Sequence, residues 1–430
     1  ERTKSKIEMK NQRDYWWHNE MASVDNNFPA EFMDSEDELF ILYTSGSTGK
    51  PKGIVHTTAG YMIYSQYSFQ NVFQYNEGDI YWCTADIGWI TGHSYIIYGP
   101  LLSGATTIMF EGVPTFPDAG RFWRIVEENK INIFYTAPTA IRALEAKGLD
   151  FVKKYNLTSL RVLGTVGEPI NEDAWNWYFK EIGGGSCPIV DTWWQTETGG
   201  IMISNLAGIT KEKPTFATLP LPGIQACIVD DSGAELKKNN VEGKLCIKYP
   251  WPSMARTIYG DHKRFIDTYF STFPGYYFSG DGCYKNENGL FRITGRVDDV
   301  LIISGHNLGT AEIESAIDEH ENVCESAIVG YPHSIKGNGI YAFIICHKQP
   351  LDTKKSNTEI NKLIVKHVGP IAKVDKIQYV HGLPKTRSGK IMRRILRKIA
   401  SGEITNLGDT STLLDPTIVE SIIRGSINSN

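Results

Sequence analysis

Short runs of β-branched and aromatic residues alternate with helical patterns along the first half of the chain, and this alternation restricts the fold more than any other feature. The runs are FILYT, TTIMF, NIFYT, LRVLGTV and PIVDTWW. Strands and helices that alternate at this spacing are typical of an α/β layered fold with a largely parallel sheet. The Gly- and Ser-rich loop after FILYT is then predicted to lie at the carboxyl end of a strand, where such sheets bind ligands.

Two further patterns predict how the 430 residues divide into domains. After about Pro214, shorter strand-like runs joined by Gly and Asn/Asp turns predict a small antiparallel barrel or sheet; these runs are QACIVD, GKLCIK, YYFSGD and GLFRITG. Beyond GRVDD, strand and helix signals form a compact α+β pattern. We predict a large α/β domain over residues 1–297 with a small β-barrel-like subdomain, and a smaller α+β domain over residues 298–430.

Composition and charge restrict the partners of this chain. A formal net charge of −5 argues against a general affinity for nucleic acid or anionic membrane. The seven cysteines include no CxxC pair, which is typical of reduced thiols in a cytosol-like compartment. Residues 87–110 are uncharged but interrupted by glycines and a proline, so they predict a buried helix and strand. We expect a cytoplasmic location, compatible with a nuclear pool, and no nucleic-acid or membrane partner.

Residues 43–53, YTSGSTGKPKG, combine glycines, hydroxyls and two lysines. Glycine amides approach an anion closely, hydroxyls add donors and lysines add charge, so this first loop has the chemistry of a nucleotide phosphate cradle. It differs from the phosphate loop of kinases because only two residues separate Gly46 from the Gly-Lys pair and Pro51 replaces the magnesium-binding hydroxyl. The alternative is a flexible turn between a strand ending near Ser45 and a helix beginning near Thr57.

Five later motifs follow the first loop in a particular order. They are GEPIN at 167–171, DTWWQTETGG at 191–200, YYFSGDG at 276–282, GRVDD at 295–299 and PKTRSGK at 384–390. Together with the first loop, they resemble the acyl-adenylate-forming enzymes. The segments GHSYIIYGP and KTRSGKIMRRILRKIA resemble the AMP-forming acetyl-CoA synthetases among them. Family members extend well beyond this chain at the N-terminus, so the resemblance also implies that part of the large domain is missing.

The resemblance implies an acetate–CoA ligase with ATP and CoA as co-substrates and Mg²⁺ bound with the ATP. Acetate attacks the α-phosphate to form acetyl-AMP and pyrophosphate, and the CoA thiol then displaces AMP. Each step brings anions together, so catalysis requires positioned cations and amides. Two alternatives stay open: a propionyl-CoA synthetase of the same family, and a nucleotide-binding homologue that has lost turnover.

The resemblance also implies a nucleotide site. The first loop holds the β- and γ-phosphates, the GEPIN backbone meets the adenine face, and Asp281 binds the ribose. The alternatives are a structural turn at GEPIN, the end of a core strand at DTWW and an ordinary Asp-Gly turn at Asp281. The implied ATP or AMP ligands are Thr44, Ser45, Gly46, Ser47, Thr48, Gly49, Lys50, Lys52, Gly167, Glu168, Pro169, Asp191, Thr192, Trp193, Trp194, Gln195, Thr196, Asp281, Arg296 and Asn307.

Lys390, Thr196 and Glu197 are the implied catalytic residues. A mobile loop carries Lys390 to the site to bridge carboxylate and α-phosphate oxygens, and Glu197 binds the magnesium of MgATP. A lysine acetyltransferase and a deacetylase that act on Lys390 are implied partners, since acetylation removes its charge. The strongly basic residues 385–398 are also typical of nucleic-acid or membrane contacts. An amphipathic helix packed on its own domain is favoured instead by the helical spacing of Met392, Ile395, Leu396 and Ile399.

The implied acetate pocket is closed by Trp194, and its other walls are Ile90, Thr91 and Val166. A rigid wall turns one extra methylene into a clash, so acetate should be preferred and propionate should come second.

Further roles are implied for residues at or beyond the domain boundary. Asp298 resembles a hinge about which the smaller domain rotates between the half-reactions. The implied CoA contacts are Thr91, Thr115, Ser304, Gly305 and Lys366. A minor metal position is implied at Asp318, His320 and Val323. The alternative is that these residues form a solvated helix end. Asn307 and Val365 stand where arginines are expected, and Thr115 stands where an asparagine is expected.

Overall fold

The structure is a computed structural model that describes residues 6–44, 51–297, 301–303, 306–333, 337–385, 391–405, 407–408, 410 and 413–427. Strands and helices alternate through the first half. The strands are β1 (Glu38–Thr44), β2 (Lys52–Thr57), β3 (Ile80–Cys83), β4 (Thr106–Ile108), β5 (Ile133–Thr136), β6 (Val162–Thr165) and β7 (Ile189–Asp191). The helices are α1 (Trp17–Ala22), α2 (Thr58–Val72), α3 (Ile90–Gly92), α4 (Gly99–Leu102), α5 (Arg121–Asn129), α6 (Pro138–Glu145) and α7 (Glu172–Trp177), with π-helical turns at His93–Tyr98 and Tyr178–Ile182.

The second half contains shorter strands and then an α+β unit. Its first elements are β8 (Ala226–Val229), β9 (Val241–Ile247), β10 (Thr257–Ile258), α8 (His262–Tyr269), β11 (Tyr277–Lys285) and β12 (Phe291–Arg296). They are followed by β13 (Leu301–Ile303), β14 (His306–Leu308), α9 (Thr310–Asp318), β15 (Val323–His333), β16 (Gly337–Cys346), α10 (Thr353–His367), a 3₁₀ turn (Pro370–Ala372), β17 (Lys376–Tyr379), α11 (Arg393–Ala400) and α12 (Thr417–Ile427).

A five-stranded parallel sheet in the order β4–β3–β5–β6–β7 forms the centre of the first half. The predicted strands TTIMF, NIFYT, LRVLGTV and PIVDTWW are β4 to β7, so the α/β class is confirmed. Alternate residues of its strands enter two cores on opposite faces, as in a sheet buried on both sides. One core contains Tyr81, Tyr135 and Val190, and the other contains Trp82 and Phe134.

The placement of the first loop differs from the prediction. FILYT lies in β1, which pairs antiparallel with β2, and β10 completes a separate three-stranded sheet. The first loop therefore joins two antiparallel neighbours and does not follow a strand of the parallel sheet. The physical reason is its length, because parallel strands need a crossover of a dozen or more residues whereas a short loop closes a hairpin.

Two other sequence predictions concern the large domain. Residues 87–110 form helical turns with a buried part around Tyr95 and Ile96, as predicted, but β4 is exposed or half-buried because it is an edge strand of the sheet. No helix in the described part of the chain is long and apolar enough to cross a membrane. The run of shorter strands forms a four-stranded antiparallel sheet in the order β12–β11–β9–β8. The sequence predicted either a small barrel or a small sheet here, and the structure contains a sheet.

The α+β unit is built on β15, β16 and β17. Helices α9 and α10 enclose one core with Ile313 and Ile364, and α11 and α12 enclose the other with Ile395 and Ile422. The predicted amphipathic helix is α11, whose apolar side chains pack on its own sheet. The boundary near Asp298 stays a prediction, since residue 298 lies outside the described ranges.

We expect Ile395→Ala to lower the free energy of unfolding of the α+β unit by about 2–5 kcal/mol, because it removes fully buried methyl groups and leaves a cavity. Urea unfolding of the whole protein measures this loss. The matched control is Ile404→Ala, at a side chain that is 38% exposed, where the change should stay within about 0.5 kcal/mol. Equal losses in both variants would contradict the packing of α11.

Candidate functional site

The carboxyl ends of β6 and β7 lie side by side. Thr165 is in register with Asp191, and the Thr165 hydroxyl donates to Asp191 Oδ1 at 2.8 Å. GEPIN and DTWWQTETGG continue directly from these two ends, so the fold brings two predicted motifs together at the edge where parallel sheets bind ligands. Burial raises the pKa of Asp191 to about 6 in spite of the Thr165 hydrogen bond.

Asp281 connects the segment after β7 to the antiparallel sheet. It lies within β11, so the alternative of an Asp-Gly turn is wrong. Its Oδ2 accepts hydrogen bonds from Trp193 Nε1 at 3.0 Å and from Gln195 Nε2 at 2.8 Å. Its Oδ1 lies 3.5 Å from Arg296 Nη1. At the preceding Gly280, φ is +73°, a backbone conformation that favours glycine, and a Cβ there would come within 2.8 Å of the Arg296 guanidinium.

Glu197 lies in a buried group of three polar side chains. Lys52 Nζ donates to the Tyr269 hydroxyl at 2.6 Å and lies 3.4 Å from Glu197 Oε1, and the Tyr269 hydroxyl donates to the same oxygen. Burial raises the pKa of Glu197, but the Lys52 ammonium and the Tyr269 hydroxyl together hold it below its usual range. Glu197 is therefore ionised at neutral pH although it is only 9% exposed.

The donor chemistry at Glu197 fits Mg²⁺. Both bonds described above reach Oε1, and Mg²⁺ commonly takes one or two carboxylates together with phosphates and water. Within the described ranges, no group of three or more His, Cys, Asp or Glu side chains could hold a metal ion by itself. An ion here would be shared between Glu197 and a phosphate-bearing ligand.

His56 is a site residue that the sequence analysis missed. It is fully buried on β2, and its Nε2 lies 2.7 Å from the Thr196 carbonyl oxygen. Burial lowers its pKa to about 4, so the ring is neutral at neutral pH. Because a carbonyl oxygen only accepts, Nε2 carries the proton and fixes the backbone at Thr196. The histidine in KGIVHTT, directly after the first loop, was the only available signal.

Trp194 packs against the core beside the parallel sheet, in the cluster that contains Val166. The Tyr95 ring meets the Trp194 indole edge-on with 4.9 Å between centroids, and Trp194 Nε1 donates to the Tyr135 hydroxyl at 3.4 Å. Tyr95 follows Ile90 and Thr91 in one helical stretch, and Ile90 and Val166 are both buried. Trp193, in contrast, lies inside the core with its N–H bound to Asp281.

Glu168 is held by the large domain and lies close to the α+β unit. It accepts hydrogen bonds from Arg142 Nη2 at 2.9 Å and from the Thr139 hydroxyl. Burial raises its pKa, but Arg142 and Thr139, with smaller contributions from Lys385 and Arg393, lower it below the usual range. The last two residues belong to the α+β unit, so part of that unit comes within electrostatic reach of Glu168. Gly167 and Pro169, on either side, are exposed.

Three further predicted residues, Thr44, Thr115 and Lys366, lie in the described ranges, and Thr44 is in register with the site residue Lys52. Thr44 ends β1, and its Oγ1 is buried with no hydrogen-bond partner in the described ranges. Thr115 is half-buried in the loop after β4, and Lys366 is exposed in the last turn of α10. The residues outside the described ranges are Ser45, Gly46, Ser47, Thr48, Gly49, Lys50, Asp298, Ser304, Gly305 and Lys390, as is the side chain of Asn307.

The predicted minor metal position has protein partners. Asp318 Oδ1 accepts from the Ser326 hydroxyl at 2.7 Å, and burial raises the pKa of Asp318 to about 7. His320 Nε2 lies 3.4 Å from Glu359 Oε2. Val323 begins β15. A metal role for these residues stays a prediction.

Comparison with known proteins identifies relatives along the whole chain. Residues 1–259 match the AMP-binding enzyme family, and residues 312–390 match the AMP-binding enzyme C-terminal domain. The acetyl-coenzyme A synthetases of Sinorhizobium medicae (strain WSM419) and Rhizobium meliloti (strain 1021) are 59% and 58% identical over 99% of this chain and 66% of their own length. That of Magnetococcus marinus is 57% identical over 98% of this chain and 65% of its own. The chain thus spans about two thirds of the length of these relatives.

A solved structure has a similar fold. The crystal structure of the anthranilate CoA ligase AuaEII in complex with anthranoyl-AMP matches with a TM-score of 0.78 and 27% sequence identity. The match covers 87% of this chain and 70% of that one.

We expect Lys52→Met to destabilise the protein by about 3 kcal/mol at pH 7, because it leaves the buried Glu197 carboxylate without its cation. In the wild type, the low pKa of Glu197 contributes stability above the unfolded-state pKa of about 4.5. In the variant, burial raises that pKa, so stability falls as pH increases above about 4.5. The loss should therefore be smaller at pH 5 than at pH 7.

Urea unfolding at the two pH values measures both losses. Lys263→Met is the matched control, because Lys263 pairs with Asp267 on the surface and is 84% exposed. It should leave stability unchanged within experimental error at either pH, because water screens an exposed ion pair. A pH-independent loss for Lys52→Met would contradict the role assigned to Lys52.

Proposed function

Because the chain belongs to the AMP-binding enzyme family, we propose that the whole protein is an acetate–CoA ligase. It joins acetate to AMP with release of pyrophosphate and then transfers the acetyl group to CoA. The observation that carries this proposal is the position of Trp194, a large ring that packs against the same core cluster as Val166 and lies between Trp193 and Gln195, which both bind Asp281. The acetyl-coenzyme A synthetases found as relatives support it.

The first half-reaction needs charge stabilisation at phosphate. The acetate oxygen attacks the α-phosphorus while pyrophosphate leaves, and negative charge builds on the phosphoryl oxygens. Lys52 and Arg296 are the described cations beside the proposed site, and each is held by a carboxylate, Glu197 or Asp281. Cations already in position need little reorganisation when charge develops.

Glu197 would hold the Mg²⁺ that accompanies ATP. The ion would neutralise charge on the phosphate oxygens when bound. The Lys52 ammonium and the Tyr269 hydroxyl keep Glu197 ionised and fixed in direction, as a metal-binding carboxylate requires. The backbone at Thr196, held by His56, keeps the neighbouring residue in place.

The ribose and adenine sites follow from the same framework. Asp281 would accept the ribose hydroxyls, since carboxylate oxygens accept hydrogen bonds and Asp281 Oδ1 lies 3.5 Å from Arg296 Nη1. The backbone of Gly167, Glu168 and Pro169 would face the adenine. The Glu168 side chain already accepts hydrogen bonds from Arg142 and Thr139, so its backbone is the part that would face the nucleotide.

The α+β unit would supply Lys390 to the first half-reaction. Lys385, five residues earlier, lies within electrostatic reach of Glu168, which supports the approach of this segment to the nucleotide. Rotation about Asp298 would then bring Ser304 and Gly305 to the site for CoA. Thr115 and Lys366 complete the proposed CoA contacts. Acetylation of Lys390 by an acetyltransferase would switch the enzyme off, and a deacetylase would reverse this. We also propose a cytoplasmic location for the protein.

We expect Lys390→Ala in the full-length protein to abolish acetate-dependent ATP–pyrophosphate exchange, with a loss of at least about 10²–10³ because one transition-state cation is removed. Thioester formation from supplied acetyl-AMP and CoA should be largely retained. Lys373→Ala, at an exposed lysine of the same unit, is the matched control and should keep both activities. Equal loss of both reactions in Lys390→Ala would refute its role in adenylation, and no exchange by the wild type would refute the ligase.

We expect Trp194→Gly to shift the preference toward longer acids, because it removes the indole that closes the proposed acetate pocket. Pocket contact with one additional methylene contributes about 1–3 kcal/mol, so kcat/KM for butyrate relative to acetate should rise by at least tenfold. Kinetics over the series acetate, propionate, butyrate and valerate measure the shift. An unchanged preference would reject the pocket, and a wild type that prefers propionate would favour the propionyl-CoA synthetase.

A further inference from the structure

Two buried tyrosines contact the Trp194 indole from different directions. Tyr135 lies in β5 and its hydroxyl accepts from Trp194 Nε1 at 3.4 Å. Tyr95 lies in the π-helical turn and meets the indole edge-on, with 4.9 Å between centroids and 87° between ring planes. Both tyrosines are fully buried, whereas Trp194 is only partly buried. The surrounding core therefore holds the tyrosines more tightly than it holds the indole.

The hydroxyl of Tyr135 belongs to a directed chain of hydrogen bonds. The Thr192 hydroxyl donates its one proton to the Thr165 carbonyl at 2.8 Å, since a carbonyl only accepts. The Tyr135 hydroxyl, 2.6 Å away, must then donate to Thr192 Oγ1. That leaves its lone pairs to accept the indole N–H of Trp194. The chain runs from Trp194 through Tyr135 and Thr192 to the end of β6, the residue before Val166.

Tyr95 is fixed by its own partners. Its hydroxyl accepts from the Ile201 amide at 2.7 Å and lies 2.7 Å from Ser68 Oγ. At Tyr95 the backbone departs from helical geometry, with φ −126° and ψ 15°. Burial raises the pKa of both the Tyr95 and Tyr135 hydroxyls, so they stay protonated at any working pH.

A pocket wall excludes a longer acid only if it cannot move. An indole that rotates or shifts by about the width of a methylene would admit propionate, whereas a held indole turns that methylene into a clash. The Trp194 N–H would lose its buried acceptor if it turned away from Tyr135, and such a loss costs more than the bond itself contributes. The edge-on ring of Tyr95 opposes movement in a second direction.

We propose that Tyr135 and Tyr95 are positioning residues that set acid size by holding Trp194 as a rigid wall. This inference rests on the proposed acetate–CoA ligase function and adds to it. Neither tyrosine needs to touch the acid. Each acts through the indole, Tyr135 by its hydrogen bond and Tyr95 by ring contact, and both are anchored to the strands and loops that form the rest of the site.

Tyr135→Phe tests the proposal because it removes one hydroxyl and keeps the ring in the core. We expect kcat/KM for propionate relative to acetate to rise about two- to tenfold, the range that one neutral hydrogen bond contributes. The ratio is measured in the full-length protein, and any loss of active enzyme cancels from it. A change in stability alone would alter both acids equally.

The matched control is Tyr178→Phe. Tyr178 is also fully buried, and its hydroxyl donates to the Phe134 carbonyl at 3.2 Å, one residue from Tyr135, on the opposite face of the same strand. Its ratio of propionate to acetate should equal that of the wild type. An equal rise in both variants would mean general loosening of the sheet and would overturn the proposal.

A double-mutant cycle separates action through Trp194 from direct action. In a Trp194→Gly background, Tyr135→Phe should leave the acid preference unchanged, because the wall that it positions is gone. The same shift in both backgrounds would overturn the positioning role. An unchanged ratio for Tyr135→Phe in an otherwise acetate-preferring enzyme would also overturn it while leaving the ligase function intact. A wild type that activates no acid would instead refute the function itself.

Discussion

The buried carboxylate of Asp281 is the interaction on which the geometry of the site depends. It accepts hydrogen bonds from Trp193 and Gln195, which follow the parallel sheet, while its own strand belongs to the antiparallel sheet. A buried carboxylate is tolerated only when its partners are in place, so the two sheets must hold one relative position. Gln195 also accepts from Tyr277, whose ring stacks on Tyr269 at 5.6 Å. The segment after the parallel sheet is thus shaped by its neighbour.

The polar residues of the site are paired before any ligand enters. Lys52 lies beside Glu197, and Arg142 lies beside Glu168. Each cation lowers the pKa of a carboxylate that burial alone would raise, so these acids stay charged although they are largely removed from water. His56 shows the opposite effect: burial lowers its pKa to about 4, so the imidazole is neutral at neutral pH. The charge of Glu197 and Glu168 is therefore a consequence of their cationic partners, whereas the neutrality of His56 is a consequence of burial.

The contact between the large domain and the α+β unit includes polar pairs. Arg292 of β12 donates to Glu312 of α9 at 3.0 Å, and Lys385 influences Glu168 across the same boundary. Partly exposed ion pairs contribute little free energy, because water compensates each charge when the pair separates. Polar interfaces of this kind permit relative domain motion. This property agrees with the rotation that the proposed two-step reaction requires.

Local patterns in the sequence determined the α/β class, strands β4 to β7, the amphipathic helix α11 and the motif that contains Glu197, because periodicity and motif order are properties of neighbouring residues. The tertiary structure alone decided that the first loop closes an antiparallel hairpin and that Tyr269, 72 residues from Glu197, binds its carboxylate. It also brought His56 to a carbonyl 140 residues away and Tyr135 to an indole 59 residues away. These are single side chains in ordinary core positions. Their roles arise from packing between distant segments, which no local spacing records.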